Sequence, residues 1–118
     1  MTKKQIHLLL KRYPQIVEAI RKEKTSIRLV VSKKKLVLPI DDRLHTFVRA
    51  VKSALEINPD GYATPIMTAR VCSTKSDIDL YTDFYITETE FYRIKSNFIN
   101  KVFAFCILYG LVNAEEIL

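Results

Sequence analysis

Ile86-Thr87-Glu88-Thr89-Glu90-Phe91 carries the strongest local signal in the sequence, because it predicts where a long helix begins. Thr87 and Glu90 have the spacing of a capping box, in which each side chain satisfies a backbone amide of the other residue. Ile86 and Phe91 flank that box at the spacing of a hydrophobic staple. Acidic residues in the first turn also suit the positive end of the helix dipole. We therefore predict a long helix that starts at Thr87.

This predicted helix has one apolar and one polar side when its residues are placed at about 100° intervals. Its apolar side carries Phe91, Ile94, Phe98, Val102 and Phe105. The opposite side carries Thr89, Arg93, Ser96 and Asn100, with Tyr92 and Asn97 at its margins. Arginine and asparagine form specific hydrogen bonds with guanine and adenine in the major groove. For the helix alone, both a DNA-contacting face and an ordinary solvent-exposed face remain open.

A shorter helix is predicted immediately before the long one. Ser76 and Asp79 have capping spacing at its start, and Ile78, Leu80 and Tyr81 supply apolar residues. The segment Phe84-Tyr85-Ile86 then leaves only a tight connection. A short helix, a tight turn and a capped second helix together predict a helix-turn-helix.

The residues around that turn resemble a known family. Thr87-Glu88-Thr89-Glu90-Phe91-Tyr92-Arg93-Ile94-Lys95, preceded by Leu80-Tyr81-Thr82-Asp83-Phe84-Tyr85, is similar to the C-terminal helix-turn-helix of ArpU and RinA type phage late-gene transcription regulators, a module like region 4 of bacterial sigma factors. The resemblance covers about residues 69–105. It implies a DNA-binding activator of phage or phage-like late operons. It places Thr87, Thr89, Tyr92, Arg93, Ser96 and Asn97 on the DNA side.

Two features depart from the family pattern. Tyr85 occupies the turn position where such modules usually have glycine, and because a bulky residue is unfavourable at positive φ we expect the turn to be built differently. Acidic residues also outnumber basic ones between Asp77 and Lys101. We therefore expect the basic N-terminal region to supply most of the phosphate contacts.

The positive charge of the chain is concentrated near its start. The net charge is +6, and residues 1–35 contain eleven Lys or Arg against two Glu. A basic region of this kind suits a polyanionic partner such as nucleic acid. A solvated lysine-rich surface is the alternative. The candidate phosphate-binding residues in this region are Lys3, Lys4, Lys33, Lys34 and Lys35.

Apolar residues at steps of three and four predict two helices at the start of the chain, divided near Arg12 because Pro14 interrupts the pattern. Ile27-Arg28-Leu29-Val30-Val31 and Lys35-Leu36-Val37-Leu38, joined by Ser32-Lys33-Lys34, predict a small β-hairpin near residues 27–39. This hairpin is either a basic wing that contacts DNA or a flap that covers the core.

Two further helices are predicted in the middle of the chain. Asp41 or Asp42 caps the first of them, which ends at Asn58-Pro59-Asp60-Gly61. The second spans about residues 62–72, with Pro65 in its first turn. The predicted fold class is therefore mainly α, with a C-terminal helix-turn-helix and a possible hairpin.

Length and composition predict one domain. With 118 residues there is room for a single core, divided into a basic half at 1–60 and a helix-turn-helix half at 62–112. The apolar segment 102–112 is too short to span a bilayer, and we expect a cytoplasmic protein of a bacterial host cell with no membrane association. Isolated Cys and His residues predict no metal, and we expect no cofactor and no enzymatic activity.

Residues 98–112 are apolar on almost every side. A helix of this kind is normally buried, so we predict that part of it packs against a second copy in a homodimer, unless the N-terminal helices cover it.

The sequence as a whole predicts a transcriptional regulator, an activator that binds promoter DNA and also contacts RNA polymerase. The alternative is a protein-interaction module that binds another regulator or RNA polymerase through its acidic C-terminal half.

Overall fold

The computed structural model describes residues 1–31, 33–57, 63–72 and 75–112. Parts of four predictions lie outside these ranges. They are Ser32 in the hairpin connection, the stop signal at residues 58–61, Tyr62 at the start of the fourth helix, and residues 73–74, which follow the predicted end of that helix.

The first two helices meet where Pro14 predicts a break. Helix α1 spans Lys3–Lys11, and α2 spans Tyr13–Arg21 with Pro14 in its first turn. Proline is tolerated there because its missing amide breaks no helical hydrogen bond. The capping box that starts α1 joins the Gln5 amide to Thr2 Oγ1 at 3.2 Å and the Thr2 amide to Gln5 Oε1 at 2.8 Å.

The predicted hairpin is present as two antiparallel strands, β1 at Ser26–Val31 and β2 at Lys34–Pro39. Ile27 and Leu29 are buried in the core, whereas Arg28 and Val30 are exposed, as the alternation along a half-buried strand requires. Arg12 Nη2 donates a hydrogen bond to the Val30 carbonyl at 2.7 Å. The hairpin is thereby attached to the junction between α1 and α2.

Helices α3 and α4 also follow the sequence pattern. Helix α3 spans Asp42–Glu56, and its cap is Asp41, whose Oδ1 accepts the Leu44 amide at 3.1 Å. Helix α4 spans Ala63–Cys72. The short helix α5 spans Asp77–Asp83, and the long helix α6 spans Glu88–Leu108.

One hydrophobic core joins these elements. Helix α6 packs mainly on α3 and also on α1 and α4. Tyr109, which follows α6, binds α3 through a 2.8 Å hydrogen bond with Ser53 and through Arg49, whose guanidinium lies 4.1 Å from its ring centre. The Met1 ammonium donates to the Leu111 carbonyl at 2.6 Å.

The protein is mainly α with one small hairpin, which confirms the predicted fold class. None of the helices within the described ranges is long and apolar enough to cross a membrane.

Candidate nucleic-acid interface

Two capped helices form the candidate interface. Ser76 Oγ accepts the Asp79 amide at 3.2 Å at the start of α5, and Thr87 Oγ1 accepts the Glu90 amide at 3.1 Å at the start of α6. Both predicted caps are therefore present. Of the capping box, the Thr87 half is formed, and the Glu90 carboxylate binds Arg93.

The turn between α5 and α6 corrects one expectation. Tyr85 has φ of +55°, so the turn does use left-handed backbone although no glycine is present. The Tyr85 amide donates to the Thr82 carbonyl at 3.2 Å and the Ile86 amide to the Tyr81 carbonyl at 3.1 Å. These two bonds form a Schellman motif, which satisfies carbonyls at the end of α5. The hydrogen bonds of the motif require the strained conformation, whichever residue occupies the position.

One side of α6 is buried in the core, and this fixes which of its residues face solvent. Phe91, Ile94, Phe98 and Val102 are buried as predicted, and Cys106 is buried with them, whereas Phe105 is only half-buried. The Tyr81 and Phe91 rings lie 5.8 Å apart, which joins α5 to the same core. The opposite side of α6 consequently faces solvent.

We define the outer face of α6 as its exposed polar and aromatic residues. They are Thr89, Tyr92, Arg93, Ser96, Asn97 and Asn100. The cap residue Thr87 is exposed beside them. The structure thus brings together, on one accessible helix surface, all the residues that the sequence predicts for base contacts.

Arg93 forms an ion pair within its own helix. Its Nε donates to Glu90 Oε2 at 2.9 Å, and its Nη2 binds the other carboxylate oxygen. The two side chains are 48% and 32% exposed, so water screens the pair and it is weak. Any other acceptor that approaches the Nε and Nη2 edge of this guanidinium would compete with Glu90. The sequence contains the signal for this pair, since the residues are three apart.

Other ion pairs neutralise the helix-turn-helix half. Asp77 accepts from Lys95 at 2.7 Å and lies 2.9 Å from Arg70 Nε, so one carboxylate joins α4, α5 and α6. Lys75 and Asp83 are paired at 2.9 Å. Because Arg70 Nε lacks an aligned hydrogen bond, its contact with Asp77 is mainly Coulombic. Sequence reasoning did not identify this bridge, which depends on how the helices pack.

The predicted lysines of the basic half are all exposed. They are Lys3, Lys4, Lys33, Lys34 and Lys35. The Lys3 ammonium lies 5.6 Å from the centre of the Phe103 ring, which places the start of α1 beside α6. The hairpin lysines lie on a separate element, whose contacts include α2 and Arg12.

The outer side of the hairpin adds a cation that the sequence prediction omitted. In the register of the two strands, Arg28 lies opposite Val37 and Val30 lies opposite Lys35, and all four side chains are exposed. Alternation along β1 was the signal, because it directs Arg28 away from the buried Ile27 and Leu29. Two cations therefore share the hairpin surface with two exposed valines.

The described part of the chain has no group of three His, Cys, Asp or Glu side chains that could hold a metal ion. Cys106 is buried, and desolvation raises the pKa of its thiol to about 11. The thiol is therefore protonated at neutral pH and is a poor nucleophile.

Comparisons of this chain with protein-family models, with curated proteins and with solved structures found no match.

Proposed function

We propose that this protein is a transcriptional regulator that binds double-stranded DNA sequence-specifically through the outer face of α6. The observation that carries the proposal is the exposed polar surface of a capped helix that follows a short helix and a tight turn. Arg93 suits guanine, and Asn97 and Asn100 suit adenine, when such a helix lies in a major groove.

The basic half supplies the phosphate contacts in this proposal. Exposed lysines on α1 and on the hairpin attract the DNA backbone without regard to sequence, and they fix the orientation of the protein. The helix-turn-helix half contributes little to this attraction because its cations are largely bound by its own carboxylates. Affinity and sequence selection thus reside mainly in different halves of the molecule.

The biological setting follows from the resemblance of residues 80–95 to phage late-gene regulators. We propose an activator of phage or phage-like late genes that acts on promoter DNA in the cytoplasm of a bacterial host. Contact with RNA polymerase belongs to the same proposal. No cofactor is needed for this activity.

Self-association as a homodimer is also part of the proposal. Phe98, Val102, Cys106, Leu111 and Val112 are buried within the chain, which limits the apolar surface left for a partner copy. Leu108 is 71% exposed and Ile107 38% exposed, and these residues are where we place the contact. A dimeric mass in light scattering that becomes monomeric in Leu108→Glu is expected, and a monomeric mass for the unaltered protein would exclude it.

The second candidate is a protein-interaction module. The observation that favours it is the composition of the surface around the turn, where Ile78 is 62% and Tyr85 95% exposed beside the exposed Asp79 and Glu88. Exposed apolar side chains among acidic ones suit a basic protein partner better than a phosphate backbone.

Selection from a random duplex library, followed by fluorescence anisotropy at two salt concentrations, separates the two candidates. Enrichment of one motif, with binding that weakens as salt rises, is expected for a sequence-specific regulator. Weak binding that is the same for every duplex would contradict the DNA proposal and favour the protein-interaction module.

A further inference from the structure

A cavity of about 170 Å³ lies between α1, α4 and α6, apart from the proposed DNA interface. Its floor is apolar and buried, and it consists of Leu10, Met67, Val71 and Phe98. Ile99, which is half-buried, completes the apolar lining. A cavity with such walls offers an unfilled site for an apolar group.

The rim of the cavity is cationic. His7 and Lys11 of α1, Arg70 of α4 and Lys95 of α6 line it together with the apolar residues, and none of the lining residues within the described ranges is acidic. Asp77 pairs with both Arg70 and Lys95, so a single carboxylate neutralises only one of these two positive charges. The exposed Lys11 has no carboxylate partner among the described residues. The rim therefore retains positive charge that is free to interact with an anion.

Size and charge together define the ligand. A dry apolar cavity of about 150 Å³ is large enough to bind benzene. The cavity here is slightly larger and carries a cationic rim, so it fits one ring that bears one negative group. We propose that this cavity is a binding site for a single-ring aromatic carboxylate, with the ring on the apolar floor and the carboxylate at the rim. The site uses none of the residues assigned to DNA, so it stands independently of the proposed function.

Titration of the full chain with benzoate, followed by amide chemical shifts in NMR spectra, tests the site directly. Benzoate is expected to shift amides of α1, α4 and α6 around the cavity and to saturate. Benzamide keeps the ring without the charge, and acetate keeps the charge without the ring. Each is expected to bind about tenfold or more weakly, because each lacks one of the two interactions. Equal binding of benzoate and benzamide, or of benzoate and acetate, would overturn the proposal.

Two lysine variants test whether the benzoate carboxylate binds at the rim of the cavity. Lys11→Gln is expected to raise the benzoate Kd about threefold to tenfold, since it removes one rim cation from a solvent-accessible position. Lys52→Gln removes an exposed lysine of α3 that lies outside both the cavity lining and the proposed DNA interface, and the benzoate Kd should stay unchanged. The same Kd in both variants, or shifts spread over surface lysines without saturation, would contradict binding at this cavity.

Discussion

At the scale of single residues, three helix ends adopt the same Schellman geometry with different residues at the left-handed position. Glu23 after α2 and Tyr85 after α5 both have φ of +55°, and Gly110 after α6 has φ of +76°. Only glycine adopts this backbone without steric strain. Two of the three turns therefore carry strain that their hydrogen bonds offset.

Tyr85→Gly is expected to raise the free energy of unfolding by about 0.5–1 kcal/mol. The side chain is 95% exposed, so its removal sacrifices almost no packing while the strain is relieved. Urea unfolding followed by circular dichroism measures the change. Gly110→Ala is the reverse control, because a Cβ there meets no atom within 4 Å and only backbone strain is added. A Tyr85→Gly variant that is less stable than the unaltered protein would show that the tyrosine side chain supports the turn.

Glu90→Gln is expected to strengthen DNA binding about threefold, because it weakens the pair with Arg93 and removes a negative charge near the phosphates. Glu18→Gln is the matched control. Glu18 also pairs with an arginine three residues later, on the exposed surface of α2, through a 3.0 Å bond from Arg21 Nε. Anisotropy with a selected duplex compares the two variants. Weaker binding by Glu90→Gln would mean that Glu90 holds Arg93 in its DNA-binding position.

At the scale of secondary-structure elements, most of the fold is predictable because the deciding signals are local. Pro14, the cap at Thr87 and the alternation along β1 each act within a few residues, and the structure follows them. The burial of Phe98, Val102 and Cys106 beneath α3, α4 and α1 is different, since it depends on elements far away in the sequence. Local periodicity identifies an apolar surface without identifying what covers it.

The candidate site likewise has some features that local sequence patterns predict and others that depend on how distant elements pack. Helical periodicity predicted the outer face of α6. The exposure of the lysines was predictable because their sequence neighbours are polar or charged. The bridge of Asp77 to Arg70 and Lys95 was not, because it joins three helices whose relative placement has no signature in sequence spacing. The strain at Tyr85 also escaped prediction, because the hydrogen bonds that end α5 override the preference of tyrosine for negative φ.

The lysines of the hairpin are expected to contribute to DNA affinity without contributing to sequence selection. Replacing Lys33, Lys34 and Lys35 together with Gln is expected to weaken binding of selected and random duplexes by the same factor. The slope of log affinity against log salt should become shallower by about 0.9 for each phosphate that the variant no longer neutralises. Lys52→Gln on α3 is the control, since this exposed lysine lies outside the proposed interface. An unchanged slope in the triple variant would assign the hairpin to covering the core.

In the molecule as a whole, the excess positive charge and the polar outer face of α6 lie in different halves of the chain. Residues 1–35 hold eleven basic residues against two acidic ones, and the described ranges 63–72 and 75–112 hold five of each. The outer face of α6 lies on the neutral half. This separation suits a protein whose approach to DNA and whose choice of sequence depend on different surfaces.

Sequence recognition by α6 is tested by comparing Arg93→Ala with Arg21→Ala in anisotropy titrations of one selected duplex and one random duplex. Both arginines lie exposed on helices and pair with a glutamate three residues earlier, so Arg21→Ala controls for the loss of such a pair. The hydrogen bond from Arg21 lowers the pKa of Glu18 to about 2. Arg93→Ala is expected to weaken binding of the selected duplex by about 1–3 kcal/mol and to leave the random duplex nearly unchanged. Arg21→Ala should affect both duplexes slightly and equally, and an equal effect of the two variants on the selected duplex would contradict the assignment of the outer face of α6 to sequence recognition.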